Sequence, residues 1–421
     1  MNPKTRYLFG AILLLAIGSC AFVAFNETAE SASAKTRPQA AKTPAAAPKA
    51  VSVTPSAAVN VDAGIELAAA YIISNTNADG RVAYERHLNP LVTPNVKRYN
   101  ILRHAGTIYS TYLYEQANPQ NAEMHATRLR LANYVVKYYL REIENGMMTI
   151  VSSPEEEKVP EPQAKLGAAG LALLGMANLM KTGEIKPEII RGLGEFILYL
   201  QKPDGSFYSK FIYSKNDHDD EFASSYYPGE AALGLLYLYD VDPQEKWLVG
   251  SKKALLNLAD SRKGMEIVPE FDHWAMLATR KLFETPSNGV TPEEHARLVF
   301  HARQMAQMIL PTQLHRPGTL EDGSMGLNIS PCSNGTKMEG LVAIYHILEE
   351  DPAYQKTILA AVDRLCAFLL RAQVQEPYLR GGLPSSADWR LPGGPKKKYV
   401  VRIDNVQHVM SAWINYRKIK R

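Results

Sequence analysis

The pattern of hydrophobic and polar positions divides most of the chain into two alternating kinds of helical segment. One kind is amphipathic and often begins with a cap residue, a proline and acids, as in Thr291-Pro292-Glu293-Glu294. These segments lie at about residues 60–75, 121–143, 187–201, 244–261, 291–311 and 352–373. The other kind is rich in Ala, Gly and Leu and lies at about 99–115, 165–181, 226–239, 272–284, 336–349 and 403–418. Small residues let a helix pack closely on all sides, so the second kind is predicted to be buried.

Glycines mark a repeat that runs through the same region. They are Gly80, Gly146, Gly205, Gly264, Gly323 and Gly382, so the first spacing is 66 residues and the other four are 59. Each glycine follows an amphipathic segment and precedes a small-residue segment. A sixfold repeat of this length indicates six copies of one helical hairpin.

Six hairpins of this kind predict an all-α fold, an (α/α)6 toroid over residues 59–421, with the amphipathic helices outside and the small-residue helices inside. An open solenoid is the alternative, but helical solenoid repeats usually run to roughly 33 to 47 residues. The additional length here lies in the loops between outer and inner helices. These loops all open on one face of the ring, at the N-termini of the inner helices.

Residues 60–421 resemble the (α/α)6 toroid proteins. This group includes six-hairpin glycosidases, related sugar epimerases and polysaccharide lyases, with terpenoid cyclases and prenyltransferases as more distant relatives. The resemblance is architectural and covers the whole domain, and no motif ties it to one family. It implies a substrate cleft at the loop face, which agrees with the general use of helix N-termini and loops for binding.

The first 25 residues are typical of an export signal. Lys4 and Arg6 precede an apolar run over residues 8–25. The run is either an uncleaved membrane anchor or a lipoprotein signal with a lipidated Cys20, and the anchor is favoured because the residues after Cys20 stay apolar. Positive charges at the start predict that the domain lies on the periplasmic or extracellular side of the inner membrane.

Residues 26–58 are predicted to be a linker, because they are rich in Ala, Pro, Lys, Ser and Thr and contain no aromatic residue. The whole chain carries a formal net charge of +4, and residues 1–58 account for all of it with six basic and two acidic residues. The domain therefore holds equal numbers of basic and acidic residues. This balance argues against a nucleic-acid partner.

Polar residues recur near the starts of the inner helices, where an apolar core has no need of them. At comparable depth in the six units they are His104, Lys165, Glu230, Trp274, Glu339 and His408. Four carboxylates near these starts are the candidate catalytic groups: Glu230, Asp272, Glu339 and Asp404. Each has a structural alternative, because acids in a first turn also cap helices or offset the helix dipole.

The candidate substrate-binding residues combine aromatic rings with basic groups. Aromatic planes stack on the apolar faces of sugars, and arginines hold carboxylates or phosphates with two parallel hydrogen bonds. The candidates are Tyr84, Arg98, Tyr99, Arg103, His104, Tyr208, Tyr226, Tyr227, His273, Trp274, Lys337, Arg402 and His408.

No metal or other cofactor is predicted, because the histidines never occur at a chelating spacing and would meet only through tertiary structure. The acidic segment Asp217–Glu221 matches the Asp-x-Asp-Asp pattern of class II terpenoid cyclases, and "QKPDGSF" resembles their Gln-x-x-x-Gly-x-Trp repeat. Those cyclases normally use two helical domains, which argues against this match. The repeat places the segment in the third loop, at the rim of the ring, so the acids are interpreted mainly as a solvated rim.

The function predicted from these features is that of a membrane-tethered, extracytoplasmic enzyme acting on a polysaccharide or oligosaccharide. The first hypothesis is a glycoside hydrolase with two carboxylates in the cavity, one protonated and one ionised. Alternatives are a uronate epimerase or polysaccharide lyase using Tyr or His with Arg, a toroid that only binds glycan or an envelope protein, and a terpenoid-cyclase-like protein. The product of the reaction discriminates among them.

Overall fold

The computed structural model describes residues 60–93, 99–219, 221–265, 270–326 and 329–420, which form twelve α-helices. The outer helices are α1 (Val61–Ser74), α3 (Ala122–Tyr138), α5 (Pro187–Tyr199), α7 (Glu245–Arg262), α9 (Pro292–Ile309) and α11 (Pro352–Ala372). The inner helices are α2 (Ile101–Ala117), α4 (Leu166–Met176), α6 (Tyr227–Tyr239), α8 (His273–Glu284), α10 (Pro331–Ile347) and α12 (Ile403–Lys420).

The inner helices form a closed ring. Each packs against the next in the order α2, α4, α6, α8, α10 and α12, and α12 returns to α2. The outer helices pack on the outside of this ring, for example α3 on α2 and α7 on α6. The closed toroid is therefore the correct prediction, and the open solenoid is wrong.

Glycines in the inner helices bring neighbouring backbones together. A Cβ on Gly170 of α4 would lie 2.5 Å from the carbonyl oxygen of Glu230 in α6. A Cβ on Gly234 of α6 would lie 2.7 Å from the carbonyl oxygen of Gly170. Side chains at these positions would force the two helices apart, which is why the inner helices need small residues.

In four of the six units, a glycine of the repeat packs against the next outer helix. Gly80, Gly205 and Gly323 have φ angles of +92°, +90° and +85°, which glycine adopts most readily. A Cβ on Gly205 would lie 2.5 Å from the carbonyl oxygen of Lys253 in α7, and the other two approach α3 and α11 in the same way. In the sixth unit this position is taken by Gly381, with φ +85°, one residue before the predicted Gly382.

Three glutamines secure these turns. The side-chain amide of Gln201 donates to the carbonyl oxygens of Gly205 and Gly250, 3.3 and 2.8 Å away. Gln313 and Gln373 make the corresponding bonds in the fifth and sixth units. The glutamine of "QKPDGSF" is thus one of three copies of an architectural contact between successive outer helices.

Short strands form part of the loop face, which the all-α prediction did not anticipate. An antiparallel sheet contains β2 (Leu140–Glu142), β3 (Met148–Ser152), β4 (Gln163–Lys165), β5 (Lys210–Ile212) and β6 (Asp217–His218) in that order. A two-stranded pair joins β1 (Glu85–His87) to β7 (Val400–Arg402), linking the first and last units. Strands of two to five residues have too short a pattern to be recognised beside long helices.

The predicted anchor and linker, residues 1–58, lie outside the described residues. Within the part of the chain that the structure does describe, no helix has the length and apolar character needed to cross a membrane.

Candidate active site

The start of α8 brings a histidine and a tryptophan into the ring. Asp272 caps this helix by accepting a hydrogen bond from the amide of Ala275 at 3.0 Å, so His273 and Trp274 occupy its first turn. His273 is 3% exposed, and among the described residues neither of its ring nitrogens has a hydrogen-bond partner. A buried polar group in this state is costly, and such groups are concentrated at functional sites.

Glu339 of α10 lies between this histidine and α12. One carboxylate oxygen, Oε2, is 2.8 Å from Nδ1 of His408 and 3.7 Å from Nε2 of His273. The other oxygen accepts a hydrogen bond from the Ser411 hydroxyl. Because a carboxylate only accepts, Nδ1 of His408 carries the proton of this hydrogen bond. We call His273, Glu339 and His408 the central triad.

Aromatic rings enclose the central triad. The imidazoles of His273 and His408 lie 5.4 Å apart between ring centres, with their planes 80° apart. The Trp274 ring is 4.7 Å from His273 and 5.9 Å from His408, and Tyr109 of α2 packs on Trp274 at 5.9 Å. Burial lowers the pKa of His273 well below its usual range, and the neighbouring His408 acts in the same direction. His273 is therefore neutral at pH 7.

Glu230 of α6 is a second buried polar group near the triad. It is 6% exposed, and its Oε2 has no hydrogen-bond partner within the described parts of the chain. Burial raises the pKa of Glu230 to about 8, with a contribution from the charge of Asp272 and an opposing one from His408. Gly167 of α4 provides the space for Oε2, because a Cβ there would overlap this atom. Glu230 is therefore mostly protonated at pH 7.

Asp272 has structural partners for both oxygens. Oδ1 caps α8, and Oδ2 accepts a hydrogen bond from Nη2 of Arg262 in α7 at 2.8 Å. Burial raises the pKa of Asp272, and Arg262 opposes the shift. This carboxylate therefore links α7 to the start of α8, beside Glu230.

Asp404 is also held on both oxygens. Nε of Arg103 is 2.8 Å from Oδ2, and Nε of Arg402 is 2.6 Å from Oδ1. Burial alone would raise the pKa of Asp404, but the two arginines outweigh it and hold the pKa well below its usual range. Arg103 also donates to the hydroxyl of Tyr84. These four residues join the first unit of the ring to the last.

Several other candidates lie away from the triad. His104 is between α2 and α3, where Nδ1 meets the Tyr99 hydroxyl at 2.6 Å and Nε2 meets the carbonyl oxygen of Leu131 at 2.9 Å. Burial lowers the pKa of His104 to about 4. Lys165 donates to Glu157 at 3.1 Å. The ring therefore does not bring His104 or Lys165 to one depth with Glu339 and His408.

The remaining substrate-binding candidates lie at different places in the fold. Tyr226 lies 6.0 Å from the His273 ring, and Tyr227 packs beside Gly167, where burial raises its pKa. Lys337 donates to the carbonyl oxygen of Met325 at 2.8 Å. Tyr208 stacks on His218 at 3.5 Å. Arg98 lies outside the described residues.

The acidic segment is at the rim, as predicted. Asp217 and His218 form β6, and Asp217 and Glu221 are exposed. Asp219 lies 3.9 Å from Lys210 of β5. Asp220 is outside the described residues.

Two residues of the site were missed at the sequence level. Ser411 follows His408 by three positions, so both lie on one face of α12, and this spacing could have identified it. Tyr109 lies about two turns into α2, where its only sequence signal is a polar tip in a small-residue helix.

No family model matches the sequence, and no curated protein matches it. Solved structures match over most of the chain. A D-mannose isomerase superposes with a TM-score of 0.59 at 11% identity, covering 87% of this chain and 100% of its own. A cellobiose 2-epimerase from Spirochaeta thermophila has a TM-score of 0.59 at 12% identity, covering 86% and 96%.

A third match is an inactive variant of an α-1,6-mannanase of Salegentibacter sp., in complex with α-1,6-mannotriose. It has a TM-score of 0.55 at 12% identity and covers 86% of this chain and 100% of its own. Identities this low establish the architecture and not the activity. The chain has the fold of the six-hairpin glycosidase-like proteins, a group in which sugar isomerases, epimerases and glycosidases share one ring of helices.

Proposed function

We propose that this protein is a carbohydrate-active enzyme that moves a proton next to the carbonyl group of a sugar, as an aldose–ketose isomerase or 2-epimerase. The observation that carries the proposal is the central triad, in which His273 and His408 both face one oxygen of Glu339. A D-mannose isomerase and a cellobiose 2-epimerase are among the proteins with this fold, which supports the same class of reaction.

His408 is the proposed base. Glu339 holds its Nδ1 proton at 2.8 Å, which orients the ring and stabilises the imidazolium that forms when Nε2 takes a proton. The proton comes from C2 of an open-chain sugar, and the electrons of the broken C–H bond move to give an enediolate. The hydroxyl proton passes from O2 to O1, and His408, whose added proton exchanges with solvent, returns a proton to C1 to give the ketose. The step needs no oxidant or other reactant.

His273 is the proposed electrophile. A neutral imidazole donates a hydrogen bond to the oxygen on which negative charge develops. Burial keeps His273 neutral, and its nitrogens have no competing hydrogen bond among the described residues. The two imidazoles lie beside each other, with ring centres 5.4 Å apart, which suits a base and an electrophile that act on neighbouring atoms of one sugar.

Glycoside hydrolysis is the second candidate, and Glu230 favours it. A carboxyl with a pKa of about 8 is protonated at pH 7 and suits the role of general acid. The reaction also needs an ionised carboxylate. Asp272 and Asp404 are engaged by arginines and Glu339 by His408 and Ser411, so proton transfer by imidazoles agrees better with this arrangement.

Deuterium exchange tests the proposal directly. The full-length protein is incubated in deuterium oxide with a panel of aldoses, ketoses and disaccharides, and NMR follows loss of the C1 and C2 protons. We expect exchange and interconversion with at least one sugar, and a loss of about 100-fold or more in His408→Gln and His273→Gln. The exposed His315 provides the control, His315→Gln, which keeps full activity.

The products separate the alternatives. New reducing ends, lost in Glu230→Gln but kept in His408→Gln, would replace the proposal with hydrolysis. An ultraviolet-absorbing unsaturated product would indicate a lyase, and glycan binding without any product would indicate a receptor.

We also propose that the domain is exported and tethered by residues 1–25 through the linker at 26–58. The support is the charge and apolar pattern of the first 25 residues. Protease added to intact spheroplasts is expected to degrade the domain, and full protection would contradict this topology.

A further inference from the structure

We propose that the central triad is also a binding site for a divalent transition-metal ion of the zinc class, and that this ion inhibits proton transfer when bound. Within the described residues, His273, Glu339 and His408 are the group of potential ligands whose donor atoms meet, all within 4.8 Å of one another. The binding does not depend on the proposed function. Only the inhibition rests on it.

The distances are close to those of a real site. In a tetrahedral site with zinc–nitrogen and zinc–oxygen bonds of about 2.0–2.1 Å, neighbouring donor atoms are about 3.3 Å apart. The Glu339 oxygen is 2.8 Å from Nδ1 of His408 and 3.7 Å from Nε2 of His273. These two distances lie on either side of the ideal one, and the nitrogens of the two histidines lie within 4.8 Å of each other, so a metal ion would draw the two imidazoles together around the carboxylate oxygen.

The state of His273 is the second, independent observation. It is 3% exposed, and its two ring nitrogens have no hydrogen-bond partner among the described residues. A buried nitrogen without a partner costs free energy, and a metal ion would remove this cost for one of them. Imidazole and carboxylate together suit zinc, copper and nickel better than magnesium or calcium, which prefer oxygen ligands.

Surrounding groups already orient the carboxylate. The Ser411 hydroxyl donates to the Glu339 oxygen that does not face the histidines. Such outer partners fix the direction of metal ligands. Two histidines and one carboxylate leave a fourth position, so water or a sugar hydroxyl would complete the coordination.

Inhibition follows from the shared atoms. A metal ion bound to Glu339 and His408 displaces the proton that lies between them, and the ion engages the nitrogen of His273 that faces the carboxylate. His408 then loses the contact that orients it as a base. Metal binding and proton transfer are therefore mutually exclusive in this site.

The test is a cobalt titration of the full-length protein after treatment with a chelator. Co²⁺ bound by nitrogen and oxygen in a tetrahedral site has visible d–d absorption, and Zn²⁺ is expected to displace it. We expect one equivalent of Co²⁺ per chain and the same in His315→Gln. His273→Gln and Glu339→Gln are expected to bind at least about 100-fold more weakly, since loss of an outer partner alone costs 10–100-fold.

Circular dichroism establishes whether the two variants are folded. X-ray absorption at the zinc edge of the wild-type protein reports imidazole and carboxylate ligands without any variant. The inference is overturned if the wild type binds no Co²⁺, if folded His273→Gln binds as tightly as the wild type, or if the absorption spectrum contains no imidazole.

The two proposals fail in different ways. Stoichiometric metal binding without proton exchange on any sugar would refute the proposed function and leave the metal site standing. Proton exchange that one equivalent of Zn²⁺ leaves unchanged would refute the inhibition.

Discussion

The ion-pair group around Asp404 closes the ring, and Asp404→Asn tests what it contributes. Asp404 is 2% exposed, and its oxygens lie 2.8 and 2.6 Å from Arg103 of α2 and Arg402 of β7. Asparagine keeps the shape but removes the charge, so two arginines lose their anionic partner. Breaking a buried pair in this way costs about 3–5 kcal/mol, and because both arginine side chains are partly exposed we expect about 3 kcal/mol.

The effect of Asp404→Asn on stability is expected to depend on pH, because the pKa of Asp404 is lowered in the folded protein. The pKa of Asp404 is lowered in the folded protein from its ordinary value of 3.8, so its stabilising contribution is fully present above that value. The contribution is lost as the pH falls below about 4, where the unfolded carboxyl becomes protonated first. The difference in unfolding free energy between wild type and Asp404→Asn should therefore be constant from pH 5 to 7 and narrow below pH 4.

Urea unfolding followed by circular dichroism measures both effects. The matched control is Asp62→Asn, because Asp62 of α1 pairs with Arg417 of α12 at 3.0 Å and so also connects the first unit to the last. The Asp62 side chain is 62% exposed, so its loss should cost no more than about 1 kcal/mol. Equal effects of the two substitutions, or a difference that does not narrow in acid, would refute the reasoning.

Three further predictions concern the site and the ring. Burial raises the pKa of Glu230 from its ordinary 4.5 to about 8, so the stability that the protonated group contributes is lost as the pH rises through 8. The unfolding free energy of Glu230→Gln, measured in urea, should therefore rise relative to that of the wild type between pH 5 and 9. A difference that stays constant over this range would contradict the prediction. Gly167→Ala should cost about 1–3 kcal/mol in thermal unfolding, and should cost less in the Glu230→Ala background, where the nearest overlapping atom is absent and only the contact with Tyr227 remains. Gln313→Ala should cost about 3 kcal/mol by urea unfolding because two buried carbonyl groups lose their donor, whereas an unchanged midpoint would show that the turn at Gly323 does not need it.

Local patterns account for the parts of the fold that were predicted. Helix periodicity, caps such as Thr291 and the spacing of the glycines depend on residues close together in sequence, and they identified all six hairpins. The predicted helix bounds were wrong where a segment pairs with a neighbouring strand instead of continuing the helix. The third helix was expected to reach residue 143, but it ends at Tyr138 because Leu140–Glu142 pairs with β3.

The candidate site shows the same division. The sequence identified Glu339, His273 and His408 as separate candidates, and it identified Glu230 as a group worth testing. It did not indicate that the first three meet, because Glu339 and His408 are 69 positions apart and the direction of each side chain depends on helix rotation. From the sequence, Asp272 and Asp404 were as good catalytic candidates as Glu230 and Glu339. Only the structure shows that each of the two aspartates pairs with an arginine.

The sequence by itself determined six helical hairpins, a closed ring and a face of loops and helix starts, because those properties follow from periodicity, repeat length and small residues at fixed positions. Tertiary structure alone decided which polar residues are paired and which are left without a partner. That distinction controls whether a carboxylate is ionised and whether an imidazole is neutral, because both depend on burial and on charges brought close from distant units. These long-range contacts are why two histidines and Glu339, and not a pair of carboxylates, form the proposed site.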